Sequence, residues 1–223
     1  MLLKERETMD SKLVTIVKAI FAGIAIGLAG IIYLKLDNNI LGAALFSFGL
    51  MIVCAYSLNL YTGKIGYILV EDKKYILKIL LIILGNVIGI GFIALMAYII
   101  HDDTIIENAR AISTIKLDNV WYKTLVLSIL CGMMMHIGVD GYKTVKNDFA
   151  KVLIVIGAVM IFILAKFEHS IANLLYFMLA GWTWKTLLYV VIMLVGNAIG
   201  GMLICMLNVV ISKNKKIETE EKK

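Results

Sequence analysis

The sequence predicts an all-α integral membrane protein with six transmembrane helices, arranged as two inverted three-helix repeats. Three observations lead to this prediction. The 223 residues have a mean hydropathy of +0.91, with 61% hydrophobic and only 17% charged residues, which is unlike a soluble domain. Six apolar segments have roughly the 17–25 residues that cross a bilayer as a helix. A pattern of glycine and asparagine also occurs twice along the chain.

The six predicted spans leave little chain for a separate soluble domain. The first apolar run is too long for the hydrophobic region of a cleaved signal peptide, and no small-residue cleavage site follows it, so we expect it to be retained. Residues 1–12 are then an N-terminal segment, residues 13–211 the six-span domain and residues 212–223 a basic tail. The spans lie near Leu13–Leu34, Leu41–Leu60, Tyr75–Ile100, Val120–Val139, Val152–Ala180 and Leu187–Ile211.

The basic residues predict the orientation in the membrane. Sixteen of the 22 Lys and Arg residues lie in the N-terminal segment, the loops after the second and fourth spans, and the tail. Because cytoplasmic flanks are enriched in Lys and Arg, we expect a multi-pass plasma-membrane protein with both termini in the cytoplasm. The basic tail could be read as a nucleic-acid patch, but a flank facing anionic lipid fits six spans better. No nucleic-acid partner is expected.

An internal repeat relates residues of about 13–100 to residues of about 120–211. Gly85-Asn86-x-Ile88-Gly89 in the third span recurs as Gly196-Asn197-x-Ile199-Gly200 in the sixth span. Each half holds three spans, an odd number, so the second half must enter the membrane in the opposite orientation. Inverted repeats of this kind place a substrate site at the interface of the two halves, near the middle of the membrane.

Two polar breaks interrupt otherwise apolar spans. The second span ends in S-L-N-L-Y-T-G-K, residues 57–64, and the fifth contains K-F-E-H-S-I-A-N, residues 166–173. A charge at the bilayer centre costs roughly 2.5–3.5 kcal/mol, and interrupted helices are tolerated where they are buried in protein or line a cavity. We therefore expect both breaks at the substrate site, where Thr62 and His169 approach each other from opposite halves.

These breaks carry motifs that resemble those of the formate/nitrite transporter family. Phe167–Asn173 is similar to the family signature of phenylalanine, glutamate, histidine, serine, an aliphatic residue, alanine and asparagine. Leu60–Gly63 resembles its leucine-phenylalanine-threonine-glycine element, and V-G-N-A-I-G-G its last-span motif. The likeness runs from about Lys18 to Asn208. It implies six spans with an aquaporin-like fold, selectivity for small monovalent anions, and a homopentamer with one pore in each protomer.

The resemblance implies pore residues at matching positions. His169 matches the central pore histidine, and Thr62 lies opposite it. Lys116 is similar to a lysine of the outer vestibule, where a positive charge would attract anions. Two apolar constrictions beside the histidine are implied at Phe46, Leu50, Leu60, Tyr61 and Phe162.

Four further residues are expected to hold the breaks together. Glu168 matches a carboxylate that orders the broken helices, and Lys166 is one candidate for its partner. Asn173 is expected to satisfy backbone groups that the break leaves open. Ser170 belongs to the same motif. Because the chain has no proline, the geometry of the first break is expected to depend on Gly63.

Other polar residues have less specific interpretations. His136 lies in the fourth span and Asp140 one helical turn later, just past its end, and we expect them to contact each other. A second titratable site on the permeation path is the alternative. His101, Asp102 and Asp103 are expected in a solvated outer loop.

The sequence therefore predicts a channel or proton-linked facilitator for a small weak-acid anion of the formate, nitrite or hydrosulfide class. His169 could donate a hydrogen bond or a proton to a passing anion, because imidazole titrates near neutral pH. A pore for a neutral solute such as water, ammonia or hydrogen sulfide is the alternative. No enzyme and no cofactor are predicted, because no metal-ligand cluster or nucleophile with its base is recognisable. Cys54, Cys131 and Cys205 fall inside apolar spans.

Overall fold

The computed structural model describes the backbone of residues 2–220 and the side chains of residues 12–212. Charged side chains of the predicted N-terminal segment before Lys12, and of the tail from Lys213 on, lie outside this part. Residues 2–220 form nine α-helices and no strand, and a 3-10 turn, Ile65–Leu69, continues α3. The helices are α1 (Leu2–Lys35), α2 (Asn39–Ala55), α3 (Tyr61–Lys64), α4 (Tyr75–Ile100), α5 (Asp103–Asp118), α6 (Trp121–Thr144), α7 (Asp148–Leu164), α8 (Ser170–Ala180) and α9 (Trp184–Glu220).

Four helical segments within the described residues are long and apolar enough to cross a membrane. They belong to α1, α4, α6 and α9, and they keep many large apolar side chains exposed on their outer faces. The predicted spans Leu41–Leu60 and Val152–Ala180 are each interrupted. The chain leaves the helix between α2 and α3, and again between α7 and α8. Both interruptions fall at the polar stretches that the sequence analysis singled out.

Helix boundaries in the two halves repeat with one constant spacing along the chain. α2 and α7 correspond at both ends, and the ends of α1 and α6, the starts of α3 and α8, and the starts of α4 and α9 keep the same spacing. Asn38 and Asn147 cap α2 and α7 at equivalent positions. Their side-chain oxygens accept the backbone N–H of Leu41 at 3.0 Å and of Ala150 at 2.9 Å, satisfying donors that a helix start leaves free.

Glycines allow the long helices to approach closely. α1 packs against α4, and α6 packs against α9. A Cβ atom on Gly23 of α1 would collide with the backbone of Asn86, and one on Gly132 of α6 would collide with the backbone of Asn197. Small residues serve this purpose in membranes, where no hydrophobic drive pushes helices together. The contact places both asparagines deep inside the bundle.

α5 connects α4 to α6, and its first residue differs from the predicted structure. His101, Asp102 and Asp103 were expected in a solvated loop, but Asp103 begins the helix Asp103–Asp118, so that prediction is wrong for Asp103. Asp102 caps this helix and forms an ion pair with Lys35. The hydrogen bond from Lys35 holds the pKa of the Asp102 carboxyl below its usual range. The last turn of α5 carries Lys116 toward the second break.

Candidate functional site

The two breaks bring Thr62 and His169 together in the interior of the bundle. Thr62 Oγ1 lies 3.1 Å from His169 Nε2, and both residues are buried. Thr62 lies in the first turn of α3, and His169 is the N-cap of α8. The predicted approach from opposite halves is therefore observed. At the spacing that relates the two halves, however, His169 corresponds to Leu60, so the two partners occupy different positions in their repeats.

The hydrogen bonds of His169 define which ring nitrogen carries the proton. Its Nδ1 accepts the backbone N–H of Ala172 at 3.1 Å. A neutral imidazole then carries its hydrogen on Nε2, which donates to Thr62 Oγ1. Protonation of Nδ1 would break the cap at the start of α8, so this geometry favours the neutral ring. The Thr62 hydroxyl keeps its own hydrogen for a further acceptor.

A buried asparagine on α4 holds the first break in place. Asn86 accepts the backbone N–H of Tyr61 at 2.8 Å and donates to the carbonyl oxygens of Asn59 at 2.9 Å and Ala19 at 2.8 Å. Tyr61 begins α3, and Asn59 lies inside the break. One side-chain amide thus pairs with backbone groups that the interrupted helix leaves free, at a site where an unpaired group costs about 1–3 kcal/mol.

Asn197 on α9 makes the equivalent bonds in the second break. It accepts the backbone N–H of Ser170 at 2.9 Å and donates to the carbonyl oxygens of Glu168 at 2.9 Å and Ser128 at 2.8 Å. Each of these partners is the repeat equivalent of its counterpart in the first half, at the same spacing as the helix boundaries. The sequence prediction missed both asparagines as site residues, although the repeated G-N-x-I-G pattern contained the signal. The capping role expected of Asn173 therefore belongs to Asn197.

Glu168 is held by Lys116, so the suggestion of Lys166 as its partner is wrong. The carboxylate Oε2 lies 2.6 Å from Lys116 Nζ and 2.6 Å from Asn173 Nδ2. The side chains of Glu168 and Lys116 are 1% and 12% exposed. This pair ties the end of α5 to the second break. Breaking a buried ion pair by removing one partner typically costs about 3–5 kcal/mol, so we expect this contact to stabilise the second break.

Phe162 and Phe46 form an apolar wall beside His169. The Phe162 ring lies 5.4 Å from the His169 ring, centroid to centroid, and Phe46 meets Phe162 edge-on at 6.0 Å. Leu50 follows one turn after Phe46 on α2, and all three apolar residues are buried. These contacts place Phe162 next to the histidine.

The two remaining residues predicted at constrictions lie differently. Leu60, just before α3, lines the narrow cavity described below, on the side of Thr62 away from His169. Tyr61 turns toward α9 instead, because its hydroxyl donates to the carbonyl oxygen of Leu194 at 2.8 Å. Tyr61 lines neither of the two cavities described next.

Two cavities extend toward the pair from opposite ends of α6. The wide cavity has a volume of about 630 Å³ and is lined by His169 and Phe162. Its wall also includes Lys123, which lies near the start of α6. The narrow cavity has a volume of about 270 Å³ and is lined by Leu60 and by Lys143, which lies near the end of α6. Lys123 and Lys143 are therefore separated by nearly the whole length of this helix, roughly 30 Å. Buried Thr62 lies between the two cavities and lines neither.

Charged side chains are concentrated at the wide cavity. Lys116, Lys123, Lys166, Asp37 and Glu168 line it. Lys116 and Glu168 pair with each other, whereas Lys123 and Lys166 enter no ion pair within the described side chains. In that same part of the chain, no three His, Cys, Asp or Glu residues meet where they could hold a metal ion.

The backbone of each break includes a residue in the left-handed region. Ser57 has a φ of 50° and Lys166 a φ of 57°, a conformation that costs a non-glycine residue about 1–2 kcal/mol. Gly63, expected to shape the first break, is instead helical and lets α3 approach α6, since an added Cβ would lie 2.9 Å from Val139. Ser170 contributes its backbone N–H, and its hydroxyl has no partner among the described residues.

His136 and Asp140 do not form the contact that was expected. Asp140 accepts hydrogen bonds from the Tyr67 hydroxyl at 2.7 Å and from Asn208 at 3.0 Å. The buried His136 ring packs on the Tyr67 ring with centroids 4.9 Å apart, and neither ring nitrogen has a hydrogen-bond partner within the described residues. Both residues lie outside the walls of the wide and narrow cavities.

Comparisons with known sequences find related membrane proteins. The family profile described as formate/nitrite transporter matches residues 3–211. Formate channel FocA of Haemophilus influenzae is 25% identical over 177 residues, covering 70% of this chain and 62% of the relative. The uncharacterized transporter YrhG of Bacillus subtilis is 26% identical over 195 residues, covering 80% of this chain and 73% of the relative. The chain thus spans less than two thirds of the length of FocA.

Solved structures share the fold. A pentameric formate channel with formate bound aligns with a TM-score of 0.70 at 22% identity, covering 92% of this chain and 96% of that one. An FNT family ion channel aligns with a TM-score of 0.76 at 18% identity, covering 94% of this chain and 92% of that one. At these identities the structural likeness establishes the arrangement of helices and nothing finer.

Proposed function

Because the chain belongs to the formate/nitrite transporter family, we propose that it is a membrane channel for small monovalent weak-acid anions of the formate, nitrite or hydrosulfide class. The family consists of channels and transporters rather than enzymes. The observation that carries the proposal is the pair Thr62 and His169, two hydrogen-bonding side chains buried between cavities at opposite ends of the bundle. A small anion needs such donors where it loses its water.

In the proposed architecture, α2 with α3 and α7 with α8 each form one broken span, which gives six spans in a single domain of residues 13–211. Its halves, about 13–100 and 120–211, are inverted repeats. The constant helix spacing and the matching asparagine bonds support this division. Residues 1–12 and 212–223 are then cytoplasmic at the plasma membrane, so the narrow cavity faces the cytoplasm and the wide cavity the outside.

The proposed mechanism depends on the contrast between apolar walls and two polar groups. An anion that enters the wide cavity reaches His169 beside the Phe162 ring. Moving an unpaired charge into apolar surroundings is very costly, so the ion needs hydrogen bonds to replace its water. The Thr62 hydroxyl supplies one hydrogen bond, and His169 Nε2–H supplies a second when the ion takes the place of Thr62 Oγ1 as its acceptor. A weak-acid anion has a second route, because it can take up a proton in the cavity and pass Leu60 as a neutral acid.

The neutral histidine in this mechanism serves as a hydrogen-bond donor. To give up a proton as an imidazolium, His169 would first have to carry a hydrogen on Nδ1, which accepts the N–H of Ala172. The proton that converts a transported anion into its neutral acid therefore comes from water in the cavity. The histidine lowers the barrier for the anion without titrating.

We also propose a homopentamer in the lipid bilayer with one pore in each protomer. The fold is similar to that of a pentameric formate channel. Phe21 and Phe48 are 56% and 59% exposed on the apolar outer faces of α1 and α2, so they are available for contacts with lipid or with neighbouring copies. Native mass spectrometry in mild detergent should detect five copies of the 24.8 kDa chain. A monomer under all detergent conditions would contradict this assembly.

Flux measurements in proteoliposomes test the channel function. Formate, nitrite and hydrosulfide are offered in turn, with electrical current and internal pH recorded together. His169→Asn retains an oxygen that can cap α8 but loses the Nε2–H donor. Losing a hydrogen bond to a charged group should reduce anion flux roughly ten- to hundredfold. His101→Asn makes the same change at an exposed position outside both cavities and should leave flux unchanged.

The same liposomes decide between an anion channel and a neutral pore. A current or a pH-coupled flux that falls by this factor in His169→Asn supports the proposal. Electrically silent, pH-independent passage of water, ammonia or hydrogen sulfide, with no anion flux, would replace it with the neutral-solute pore.

A further inference from the structure

We infer that Lys166, together with Lys123, gathers anions at the mouth of the wide cavity, and that Lys116 is a positioning residue for Glu168. This inference rests on the proposed channel function and names the residues that set the rate of anion entry. It changes the role that the sequence resemblance gave to Lys116, which was expected to attract anions itself.

Lys116 is poorly suited to collecting anions from solution. Its ammonium group lies 2.6 Å from the carboxylate of Glu168, and its side chain is 12% exposed. The opposite charge of Glu168 balances it at contact distance, so an ion in the cavity meets a neutral pair. The same carboxylate also accepts a hydrogen bond from Asn173. The pair therefore fixes the second break and adds little net field to the cavity.

Lys166 has the opposite properties. It is exposed, it lines the wide cavity, and it enters no ion pair within the described side chains. Its backbone is in the left-handed region, with a φ of 57°, where a glycine would fit without strain. Ser57 has the same conformation at the equivalent position of the first break, so the charge of Lys166, and not its backbone, distinguishes it. Lys166 stands three residues before the pore histidine.

The remaining charges make the wide cavity electropositive. Apart from the pair of Lys116 and Glu168, its walls carry Lys123, Lys166 and Asp37, two positive charges against one negative charge. At physiological ionic strength a charge acts over about 8 Å, which reaches an ion inside a cavity of this size. Such a surplus raises the local concentration of anions and their rate of entry.

The test uses the full-length chain in proteoliposomes and labelled formate entering from the wide-cavity side. At low ionic strength Lys166→Gly should lower the initial rate about two- to threefold, the effect of one unit charge at about 8 Å in water. Raising the ionic strength with an impermeant salt should abolish the difference. Because glycine fits the left-handed backbone, the variant should unfold at the same or a higher temperature, which separates lost charge from lost folding.

Two lysine variants serve as comparisons. Lys185→Gln removes the same charge near the start of α9, where the ammonium lies over the Tyr189 ring and outside the wall of the wide cavity, so it should have no effect. Lys116→Gln should lower the unfolding temperature and reduce flux by a factor that does not change with ionic strength, as expected of a positioning residue.

Failure of the inference is distinguishable from failure of the channel proposal. If the wild-type chain carries none of formate, nitrite and hydrosulfide, the channel proposal itself is wrong. If the wild type carries formate and Lys166→Gly matches it at every ionic strength, the inference is wrong and the channel proposal stands. A salt-dependent loss in Lys116→Gln without destabilisation would likewise return the attracting role to Lys116.

Discussion

The two breaks share one hydrogen-bonded frame and differ in the charges they carry. In each break a buried asparagine from a long helix bonds to the first N–H of the following helix and to a carbonyl inside the break. Where the first break has Asn59 and Leu60, the second has Glu168 and His169 at the equivalent positions. Only the second break is tied to another helix by a buried ion pair within the described side chains, through Lys116. The hydrogen-bonded frame thus belongs to both breaks, whereas the buried ion pair belongs to the second.

The largest expected difference in stability between the breaks lies at Glu168 and at Asn59, its equivalent. Glu168→Ala leaves the ammonium of Lys116 buried without its partner and should lower the free energy of unfolding by about 3–5 kcal/mol. Asn59→Ala, at the equivalent position, removes one long hydrogen bond of 3.3 Å to the carbonyl oxygen of Thr15 and should cost about 1 kcal/mol. Reversible unfolding in mixed micelles, followed by circular dichroism, measures both values.

A double variant isolates the ion pair. Glu168→Gln combined with Lys116→Met removes both charges together and should recover most of the stability lost in Glu168→Ala, because no charge then stays buried alone. Equal losses in Glu168→Ala and Asn59→Ala would mean that the two breaks do not differ in the way described.

Equal losses of stability are expected when the buried asparagine of either break is replaced. Asn86→Ala and Asn197→Ala each leave one buried N–H and one buried carbonyl of a break unpaired, so each should lower the free energy of unfolding by about 2–4 kcal/mol. The two losses should agree within about 1 kcal/mol. Hydrogen exchange should show faster opening at Tyr61 in the first variant and at Ser170 in the second. A large loss in one variant with none in the other would contradict the shared frame.

The smallest expected effect comes from the strained backbone of each break. Ser57→Gly and Lys166→Gly should each raise the free energy of unfolding by up to about 1 kcal/mol, because glycine removes left-handed strain but loses more chain entropy on folding. Only Lys166→Gly should also reduce anion entry. Thermal unfolding beside the flux assay checks both statements, and destabilisation of either variant would show that its side chain contributes contacts beyond those described.

The sequence alone was sufficient to predict the breaks and the approach of Thr62 to His169. Polar residues inside apolar spans are costly, so their position is informative, and the motifs at both breaks identify the family. The same reasoning predicted the long helices, because their apolar runs match the thickness of a bilayer.

The partner of Glu168 could not be predicted, because it lies on the helix Asp103–Asp118, which was not predicted from the sequence. Lys166 is a close neighbour in sequence, whereas Lys116 lies far back along the chain, at the end of α5. The apolar residues Ile105, Ala109 and Ile112 recur at the three- and four-residue spacing of one helix face, which was the signal for this helix. The roles of Asn86 and Asn197 were missed for a related reason, since a repeated motif does not reveal which backbone groups its side chains reach across the bundle.

The central claim is that one side chain from each half forms a single donor pair for the anion, and a double-mutant cycle on anion conductance tests it directly. Thr62→Val and His169→Asn are measured singly and together in planar bilayers, with formate as the charge carrier. If the pair acts as a unit, the double variant should conduct about as poorly as the worse single variant. Fully multiplicative losses would show that the two residues act independently, and that the pair between the breaks is not the site where the anion is bound.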